Sequence, residues 1–345
     1  MANNKIINVG VVGCGFMGVT HIKAYRKLAG VKVAAICDAV RLPEDGDFSK
    51  ISGNVGDTDP LKLDMTQVQA YKDLNDLLAN PEIDLVDLCV PTLAHPKLAV
   101  LSLQAGKHVV CEKPLARTSA QARQIVEAAA TAKGFFMPAM CIRFWPEYAL
   151  VKQAIAQQTY GKVQAARFRR VSAPPAWGRE SYFNGAASGG ALLDLHIHDV
   201  DFVQFCFGRP RSVFASGYTR YSGAIDHVLS LYQVAGAATV SAEGSWCMTD
   251  GFGFNMAYTV NFERATLDFD LARGADALKI FEEGKPARTM KCEGSDGYVG
   301  ELQHMVESIL ASKAPSIVTA ADGMSAVEIC EAEDKSIQTG QVVTL

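Results

Sequence analysis

A pair of side chains four residues apart carries the clearest chemical signal in the sequence. Asp194 and His198 lie in a stretch that opens with Gly189-Gly190 and continues as an apolar, helix-like segment from Leu192. Residues four apart share one face of a helix, so the carboxylate can orient the imidazole or pair with a lysine. A histidine titrates near neutral pH and can take the proton of a hydroxyl group. The pair therefore predicts a proton relay of the kind that alcohol oxidation requires.

Two other interpretations of this segment are open. An aspartate and a histidine at this spacing are common on solvated surface helices that have no function. A metal site is the second alternative, because Asp194, His196 and His198 are all ligand types. Residues two apart on a helix point in opposite directions, so His196 and His198 would share a metal only on a strand or loop. We therefore expect no metal.

A lysine in the segment Glu112-Lys113-Pro114 is the next candidate for catalysis. The segment follows a short apolar run at residues 108–111 that is typical of a strand. The Lys113 ammonium could hydrogen-bond a substrate oxygen and stabilise alkoxide character through its charge. Lys113, Asp194 and His198 are therefore the predicted catalytic residues.

The N-terminal segment predicts where a cofactor binds. An apolar run leads into Gly13-x-Gly15-x-x-Gly18, a helical pattern and a second apolar run that stops at Asp38. Gly13 permits the tight turn, Gly15 lets a pyrophosphate approach the backbone, and Gly18 lets the helix lie close to the sheet. The helix N-terminus adds unpaired N–H groups and a partial positive charge. This order of elements predicts the mononucleotide-binding half of a Rossmann fold.

The acid after the second apolar run decides which dinucleotide we expect. Asp38 can accept hydrogen bonds from a ribose diol and would repel a 2′-phosphate, which favours NAD over NADP. Arg41 lies three residues further on and could hold a 2′-phosphate, so NADP stays possible. A glycine turn that binds nothing is the plain alternative, and the acid argues against it.

Length, charge and cysteine usage limit the classes of function. The chain has 345 residues, a formal net charge of −4 and 49% hydrophobic residues, which indicates two ordinary globular domains. The charge gives no reason to expect a nucleic acid or an anionic membrane as partner. No apolar run approaches the roughly 18 residues that a membrane span needs, and the first strand leaves no room for a signal peptide. Scattered cysteines without a CxxC predict reduced thiols in the cytoplasm and no structural zinc.

The order of predicted elements gives the fold class. Up to residue 141 strands alternate with helices, the last of which is capped by Ser119, and this predicts a parallel, doubly wound sheet. Beyond it, consecutive strands predict an α+β domain with a mostly antiparallel sheet. We therefore expect an α/β chain with a Rossmann domain over 1–141 and a substrate-binding domain over 142–345. Residues 39–65, rich in Gly, Asp, Pro and Ser, predict an irregular surface insertion.

Several polar or flexible residues follow directly after the strands of the first predicted sheet. Ligands of such sheets lie at the carboxyl ends of the strands, so a shared edge predicts a single site. The residues in these positions are Gly13, Asp38, Thr92, His95 and Lys113.

Together these motifs resemble the glucose-fructose oxidoreductase, inositol dehydrogenase and MocA-like family. The resemblance covers essentially the whole chain. It rests on the glycine motif and on four further motifs: Pro91-x-x-x-His95, Glu112-Lys113-Pro114, Arg143-Phe144-x-Pro146, and the Gly-Gly segment that runs to Asp194-x-x-x-His198. It departs from the family at Thr92, where Asn is frequent, and at His196, where Gly is frequent.

The resemblance implies a catalytic set, a cofactor site and an assembly. It implies that Lys113 lies beside the nicotinamide, and that a large open C-terminal sheet forms the interface of a homodimer or homotetramer. The cofactor-binding residues that we expect are Gly13, Gly15, Phe16, Met17, Gly18, Asp38, Thr92, His95, Glu112 and Lys113. The substrate-binding residues that we expect are Arg143, Trp177, Asp194 and His198.

The predicted function is an NAD-dependent oxidoreductase that acts on a secondary hydroxyl of a sugar, sugar derivative or cyclic polyol. Trp177, Tyr182 and Phe183 could stack on a sugar ring, although core packing explains them equally well. A redox-neutral lyase or hydrolase that uses NAD transiently is the first alternative, because the same residues serve it. A sugar or NAD sensor is the second, and it would be expected to lack Lys113, Asp194 or His198.

Overall fold

The computed structural model describes residues 5–43, 45–51, 59–175, 182–236 and 238–345. Two compact units share the chain. The first comprises Met1–Cys141 and Asp296–Met324, and the second comprises Ile142–Ser295 and Ser325–Leu345. The segment Asp296–Met324 thus lies in the first unit, whereas the order of elements along the chain led us to expect it in the second domain. The helix that it carries packs against the first helix of the chain, which sequence order alone does not indicate.

The first unit is built on a six-stranded sheet in which every neighbouring pair of strands is parallel. The strand order is β3-β2-β1-β4-β5-β6, which is the doubly wound order of a dinucleotide-binding fold. Its strands are β1 (Ile7–Val12), β2 (Val31–Cys37), β3 (Gln69–Tyr71), β4 (Leu85–Leu88), β5 (His108–Glu112) and β6 (Phe136–Ala139). β4 and β6 are buried along their whole length, as expected where helices cover both faces of such a sheet.

The second unit is built on a nine-stranded sheet that is antiparallel except where β7 and β10 pair in parallel. The strand order is β14-β13-β12-β11-β7-β10-β9-β8-β15. Its strands are β7 (Val163–Ser172), β8 (Ser212–Tyr218), β9 (His227–Gln233), β10 (Thr239–Ser245), β11 (Phe254–Phe262), β12 (Ala265–Asp270), β13 (Leu278–Glu282), β14 (Arg288–Met290) and β15 (Val343–Thr344). Buried and exposed residues alternate along β9 and β12, so one face of the sheet is packed and the other is open. The predicted fold class is confirmed.

The described helices are α1 (Phe16–Tyr25), α2 (Leu74–Ala79), α3 (His95–Gln104), α4 (Ser119–Thr131), α5 (Pro146–Ala156), α6 (Gly185–Ser188), α7 (Ile197–Phe207), α8 (Gly297–Leu310) and α9 (Ala320–Thr339). A π-helical turn, Leu192–His196, leads directly into α7. The cap of α4 is one residue earlier than predicted. Thr118 is the N-cap, and its side chain accepts a hydrogen bond from the Gln121 N–H, whereas Ser119 is the first helical residue.

The predicted surface insertion at residues 39–65 is partly internal. Asp47 and Lys62 form an isolated antiparallel bridge, and the Phe48 N–H donates to the Leu61 carbonyl at 2.9 Å. Phe48 and Leu61 are 1% and 2% exposed. The polar composition of this segment concealed these two apolar anchors, which tie the described part of the insertion to the first unit.

Candidate functional site

The glycine turn after β1 has two glycines that the packing of the protein itself requires. Gly13 has a φ of +97°, and a Cβ there would lie 2.3 Å from the Cys89 carbonyl oxygen. A Cβ on Gly18 would lie 1.9 Å from the Gly13 carbonyl oxygen. Side chains at either position would collide with backbone, so the turn, β4 and α1 approach one another only because both residues are glycine.

Gly15 differs from the other two glycines of the motif. A Cβ on it would meet no atom within 4 Å, and its φ is −82°, which any residue can adopt. It is the N-cap of α1, whose first turn contains no acidic residue. The helix start therefore offers a positive dipole end beside open space, which fits the pyrophosphate of a dinucleotide. Phe16 and Met17, which follow it, are half-buried.

Asp38 binds backbone N–H groups of the glycine turn and of the segment that follows β2. One carboxylate oxygen, Oδ2, accepts the Cys14 N–H at 2.7 Å, and Oδ1 accepts the N–H groups of Val40 and Arg41 at 2.8 and 2.7 Å. The acid therefore fixes the turn to the end of β2, a structural part that the sequence did not reveal. Its negative charge stays at the edge of the sheet where the ribose was predicted to bind.

Two residues expected around the cofactor have different surroundings. Thr92 lies on a 3₁₀ turn and is half-buried. His95 is 1% exposed, and its Nδ1 and Nε2 atoms lie 2.8 Å from the carbonyl oxygens of Pro114 and Val90. Both nitrogens of His95 face protein carbonyls, so His95 links two turns of the first unit. The sequence led us to expect a cofactor contact at this residue. Burial lowers the pKa of His95.

Glu112 is also directed into the first unit, and Lys113 lies at the edge of it. Glu112 is 5% exposed, and its Oε2 accepts the backbone N–H of Lys113 at 3.0 Å. Its Oε1 lies 3.1 Å from Nε2 of the buried His21. Lys113 is half-buried. Glu112 thus acts on the backbone that carries Lys113, whereas the sequence led us to expect a contact with the cofactor.

The segment of the second unit that carries Asp194 and His198 is almost entirely internal. Between residues 191 and 204 the side chains that are not buried are those of Asp194, Leu195 and His198. Leu193, Ile197 and Val200 are at most 3% exposed, as the predicted buried face requires. A solvated surface helix is therefore excluded as an account of Asp194 and His198.

The start of this segment is wound differently from the α-helix that the spacing predicted. Gly189 and Gly190 have φ values of +81° and +69°, and a Cβ on Gly190 would lie 2.5 Å from the Ile225 carbonyl oxygen. The turn after them is π-helical and includes Asp194, while His198 is in α7. Single π turns inside helices are frequent at functional sites.

The other charged residues of α7 are held in buried ion pairs. Arg143 donates from Nε and Nη2 to the two carboxylate oxygens of Asp201 at 2.8 and 2.6 Å, and its guanidinium lies over the ring of Phe205. Arg170 of β7 donates to Asp199 from Nε at 2.9 Å. The side chains of both pairs are at most 3% exposed. Arg143, expected to bind substrate, is thus placed in the interior, where it holds α7.

His196 has a place in the core of the second unit. It is 0% exposed, and its Nε2 lies 3.2 Å from both Glu333 Oε1 and the Tyr232 hydroxyl. A Cβ on Gly244 of β10 would lie 2.5 Å from the His196 Cβ, so the helix start and the sheet are in close contact. His196, the residue at which the chain departs from the glycine frequent in the family, is thus a packing and hydrogen-bonding residue of the core.

Of the aromatic residues predicted to stack on a sugar, the structure describes Tyr182 and Phe183. Trp177 lies outside the described residues. The rings of Tyr182 and Trp246 meet edge to face at 5.6 Å, and those of Phe183 and Tyr221 stack at 5.7 Å. These contacts favour ordinary packing for Tyr182 and Phe183.

A cluster that the sequence did not single out lies in the first unit. His21 is surrounded by Asp87, Cys89, Glu112 and Glu301. No local spacing could have indicated it, because its members come from α1, β4 and the residue after it, β5 and α8. Within the described part of the chain, the two sets of side chains close enough to share a metal ion both contain His21, and neither includes Asp194, His196 or His198.

Two family models match most of the chain. The first, described as "Oxidoreductase family, NAD-binding Rossmann fold", matches residues 7–140, and the second, the "GFO/IDH/MocA C-terminal domain", matches residues 148–268. The chain belongs to the GFO/IDH/MocA family of oxidoreductases, and its first unit carries the NAD-binding Rossmann domain of that family. The predicted family, the NAD cofactor and the oxidoreductase class are confirmed.

Individual relatives are moderately similar to this chain. It is 25% identical to the myo-inositol 2-dehydrogenase of Thermotoga maritima over 98% of each chain. It is 33% identical to the trans-1,2-dihydrobenzene-1,2-diol dehydrogenase of Xenopus laevis over 47% of this chain and 49% of the relative. A levoglucosan dehydrogenase in complex with NADH and L-sorbose has the same fold, with a TM-score of 0.84, 21% identity and coverage of 99% of each chain. Among the described helices none is both long and apolar enough to span a membrane.

Proposed function

We propose that this protein is an NAD-dependent dehydrogenase that oxidises a secondary ring hydroxyl of a sugar, a sugar derivative or a cyclic polyol. The observation that carries the proposal is the selective exposure of Asp194 and His198 on a segment whose other polar side chains are buried in internal contacts. A folded protein keeps few titratable side chains accessible on an otherwise internal helix unless they have a chemical role. The named relatives, which are dehydrogenases of inositol, levoglucosan and a cyclic diol, support this substrate class.

Each proposed catalytic residue has one task. His198 accepts the hydroxyl proton as the carbon is oxidised, and Asp194 orients the imidazole and stabilises its charged form. Lys113 hydrogen-bonds the substrate oxygen and stabilises developing alkoxide charge. When bound, NAD supplies the acceptor for the hydride. The buried pairs Arg143–Asp201 and Arg170–Asp199 hold the helix that carries His198, and Trp177 stays a proposed stacking contact for the sugar.

NAD is the proposed dinucleotide, with NADP as the weaker alternative. Gly15 supports a pyrophosphate at the start of α1, because its missing side chain is not required by the packing of the protein. The Asp38 carboxylate, fixed by three backbone N–H groups, would repel a 2′-phosphate. The proposed cofactor contacts at Gly13, Phe16, Met17, Gly18, Thr92 and Lys113 follow from their places around the same turn and sheet edge.

The test is an incubation of the protein with NAD and, separately, NADP across cyclic polyols, free sugars, anhydrosugars and sugar acids. Reduced-nicotinamide absorbance and product mass are followed in the same samples. Steady reduction with one substrate group and a product two hydrogens lighter is the expected result. A product formed without net reduction would replace the dehydrogenase by a redox-neutral lyase or hydrolase. Tight NAD binding with no reaction across the panel would favour a sensor.

We also propose a homo-oligomer that forms through the open face of the nine-stranded sheet. Large apolar side chains on that face are between 39% and 50% exposed: Phe214, Tyr218, Leu229 and Leu231. An apolar patch of this kind marks a contact surface in most soluble proteins. Light scattering should give a dimer or tetramer, and the double change Leu229→Lys and Leu231→Lys should give a monomer of unchanged fold. A monomeric wild-type protein would contradict the proposal.

A cytoplasmic location completes the proposed function. The nine cysteines are all free thiols, and seven of them are buried. Unpaired, scattered cysteines are typical of proteins from a reducing compartment.

A further inference from the structure

The side chain of His21 lies inside the first unit, with an acid directly against it. His21 is on α1 and is 0% exposed. Its Nδ1 atom lies 2.8 Å from Oδ2 of Asp87 on β4 and 3.4 Å from the sulfur of Cys89. Asp87 is 0% exposed as well. One edge of the imidazole is therefore in a fully buried hydrogen bond with a carboxylate.

The opposite nitrogen of the ring faces two further carboxylates. Nε2 lies 3.1 Å from Oε1 of Glu112, the last residue of β5, and 3.7 Å from Oε1 of Glu301 on α8. Glu112 is 5% exposed and Glu301 is 0% exposed. The other oxygen of Glu112 accepts the Lys113 N–H at 3.0 Å. A continuous row of polar contacts thus runs from Asp87 through His21 and Glu112 to the backbone at Lys113.

Burial makes excess negative charge costly in this cluster. Burial of His21 opposes its protonation, but the charge of Asp87 outweighs this and raises the pKa of His21 well above its ordinary value. Burial acts against ionised Glu112, yet the hydrogen bond and charge of His21 lower the pKa of Glu112. Burial, reinforced by the charges of Glu112 and Asp87, raises the pKa of Glu301 well above its ordinary value, although His21 acts in the opposite direction. These directions favour His21 as the cation of the cluster and Glu301 as the acid that holds a proton.

The remaining titratable groups around the cluster do not supply a second cation inside it. Burial raises the pKa of Tyr25 and of Tyr298, so both phenols stay neutral. Burial also raises the pKa of the Cys89 thiol. The other charged or titratable groups that interact with the acids of the cluster are Cys111, Lys113 and Asp296.

We propose that His21, Asp87, Glu112 and Glu301 form a proton-holding network that fixes the backbone at Lys113, and that His21 and Glu301 are positioning residues for hydride transfer. The network acts through the Glu112 carboxylate, which is held by His21 on one oxygen and holds the Lys113 N–H with the other. This part of the proposal rests on the proposed function, since it assumes that Lys113 acts on the substrate.

The spacing of the atoms favours a shared proton over a metal ion. The same side chains are ligand types, in the sets His21–Asp87–Cys89 and His21–Glu112–Glu301. Two ligand atoms that bind one tetrahedral zinc, each at about 2.0–2.1 Å, lie ~3.3 Å apart. The 2.8 Å between His21 and Asp87 is the spacing of a charge-assisted hydrogen bond.

The pH dependence of stability separates this network from ordinary packing. A group whose pKa is higher in the folded than in the unfolded chain stabilises the fold fully below its unfolded pKa, and this stabilisation is lost as the pH rises through the folded pKa. His21 and Glu301 are both of this kind. The folding equilibrium of the wild type should therefore weaken from neutral to alkaline pH, by as much as about tenfold per pH unit for each group.

The first experiment is denaturant unfolding of the full chain between about pH 6 and 9, with E301Q and H21Q. Glutamine reproduces the shape of a protonated glutamate and does not ionise in the unfolded chain, so E301Q should be at least as stable as the wild type at pH 6 and should lose less as the pH rises. H21Q should be less stable at pH 6 and should also have a flatter pH dependence. The matched control is E307Q, an exposed position on the same helix, and it should keep the wild-type slope.

The second experiment measures turnover and NAD affinity of the same proteins at neutral pH. H21Q should lower kcat by about tenfold to a hundredfold, because a misplaced catalytic group costs rate rather than binding. Its dissociation constant for NAD, set mainly at the glycine turn, should change by less than about threefold. E301Q should lower kcat less than H21Q does, since glutamine keeps the shape of the protonated carboxyl group and leaves His21 beside Glu112.

The outcomes distinguish the network from the proposed function. If the free energy of unfolding has the same pH dependence in the wild type, E301Q and H21Q, the network is overturned whatever the activity. Altered slopes with unchanged kcat in H21Q would overturn the positioning role. If the wild type reacts with no substrate, the slopes still test the network and only the proposed function fails. One zinc ion per chain in the purified wild type, absent from H21Q, would replace the proton by a metal. If H21Q does not fold, E301Q alone carries the test.

Discussion

The two units bury charge in different ways, and each does so next to a proposed catalytic residue. In the second unit Arg143 pairs with Asp201 and Arg170 pairs with Asp199, one cation for each acid, and Asp199 directly follows His198. In the first unit one histidine lies among three acids, and Glu112 directly precedes Lys113. A guanidinium keeps its charge at every pH that a protein survives, whereas an imidazolium does not. The charge of the buried pairs in the second unit is therefore insensitive to pH, whereas the charge of the histidine cluster in the first unit depends on pH.

Removing one member of a balanced pair should have the largest effect. Asp201→Ala would leave the Arg143 guanidinium buried without its carboxylate, and we expect a loss of about 3–5 kcal/mol in the free energy of unfolding. Denaturant unfolding measures it, and the loss should be nearly the same at pH 6 and pH 9, in contrast to the variants at His21.

The control for this change is an exposed pair in the same unit. Arg288 contacts Glu282 at 2.8 Å, but its side chain is 50% exposed. Arg288→Gln should cost no more than about 1 kcal/mol. Similar losses for Asp201→Ala and Arg288→Gln would show that burial does not distinguish the two pairs.

A change at Lys113 tests the residue that the titratable cluster holds, without altering the cluster itself. Lys113→Ala should lower kcat by roughly 10²–10³, the usual loss when one group that stabilises an oxyanion is removed. The NAD dissociation constant should change little. Lys97→Ala, an exposed position on α3, is the matched control. Unchanged turnover in Lys113→Ala would remove Lys113 from the catalytic set.

The smallest expected effect on stability is at Gly15, where ligand binding and not packing explains the absence of a side chain. Gly15→Ala adds a methyl group where the protein has no atom within 4 Å, so the free energy of unfolding should stay within about 0.5 kcal/mol of the wild type. NAD affinity, measured by titration calorimetry, should fall about tenfold, which is about 1.4 kcal/mol. Gly18→Ala, whose new Cβ would lie 1.9 Å from the Gly13 carbonyl oxygen, should instead impair folding. Unchanged affinity in Gly15→Ala would separate this turn from the dinucleotide.

The sequence predicted the parts of the molecule that local patterns determine. The glycine motif and the alternation of strands and helices are short-range signals, and they predicted a parallel, doubly wound first sheet. Consecutive strand-like segments after residue 141 indicated the second, mostly antiparallel sheet. Short edge strands such as β3 and β14 were missed, because three residues carry too little pattern to stand out.

In the candidate site, the side-chain contacts that could not be predicted are those that depend on the tertiary structure. Asp38 was expected to meet a ribose, and no pattern in the sequence indicated that it also binds three backbone N–H groups. His95 and Glu112 are in motifs that suggested cofactor contacts, yet their side chains point into the protein. Which way a side chain points depends on the neighbouring elements. α8 brings Glu301 to His21, but along the chain the strands β7 to β14 lie between these two residues.

The discontinuous first unit has a consequence for how the protein is made. During synthesis, residues 1–141 leave the ribosome long before Asp296–Met324, although the structure places both segments in one unit. Until then α1 lacks its cover from α8, and the His21 imidazole lacks Glu301. Domains generally fold as units from the N-terminus as the chain emerges. Here the nucleotide-binding unit is the first to begin and has to wait for nearly the whole chain, so its apolar helix face is the stretch most in need of protection from aggregation in the nascent protein.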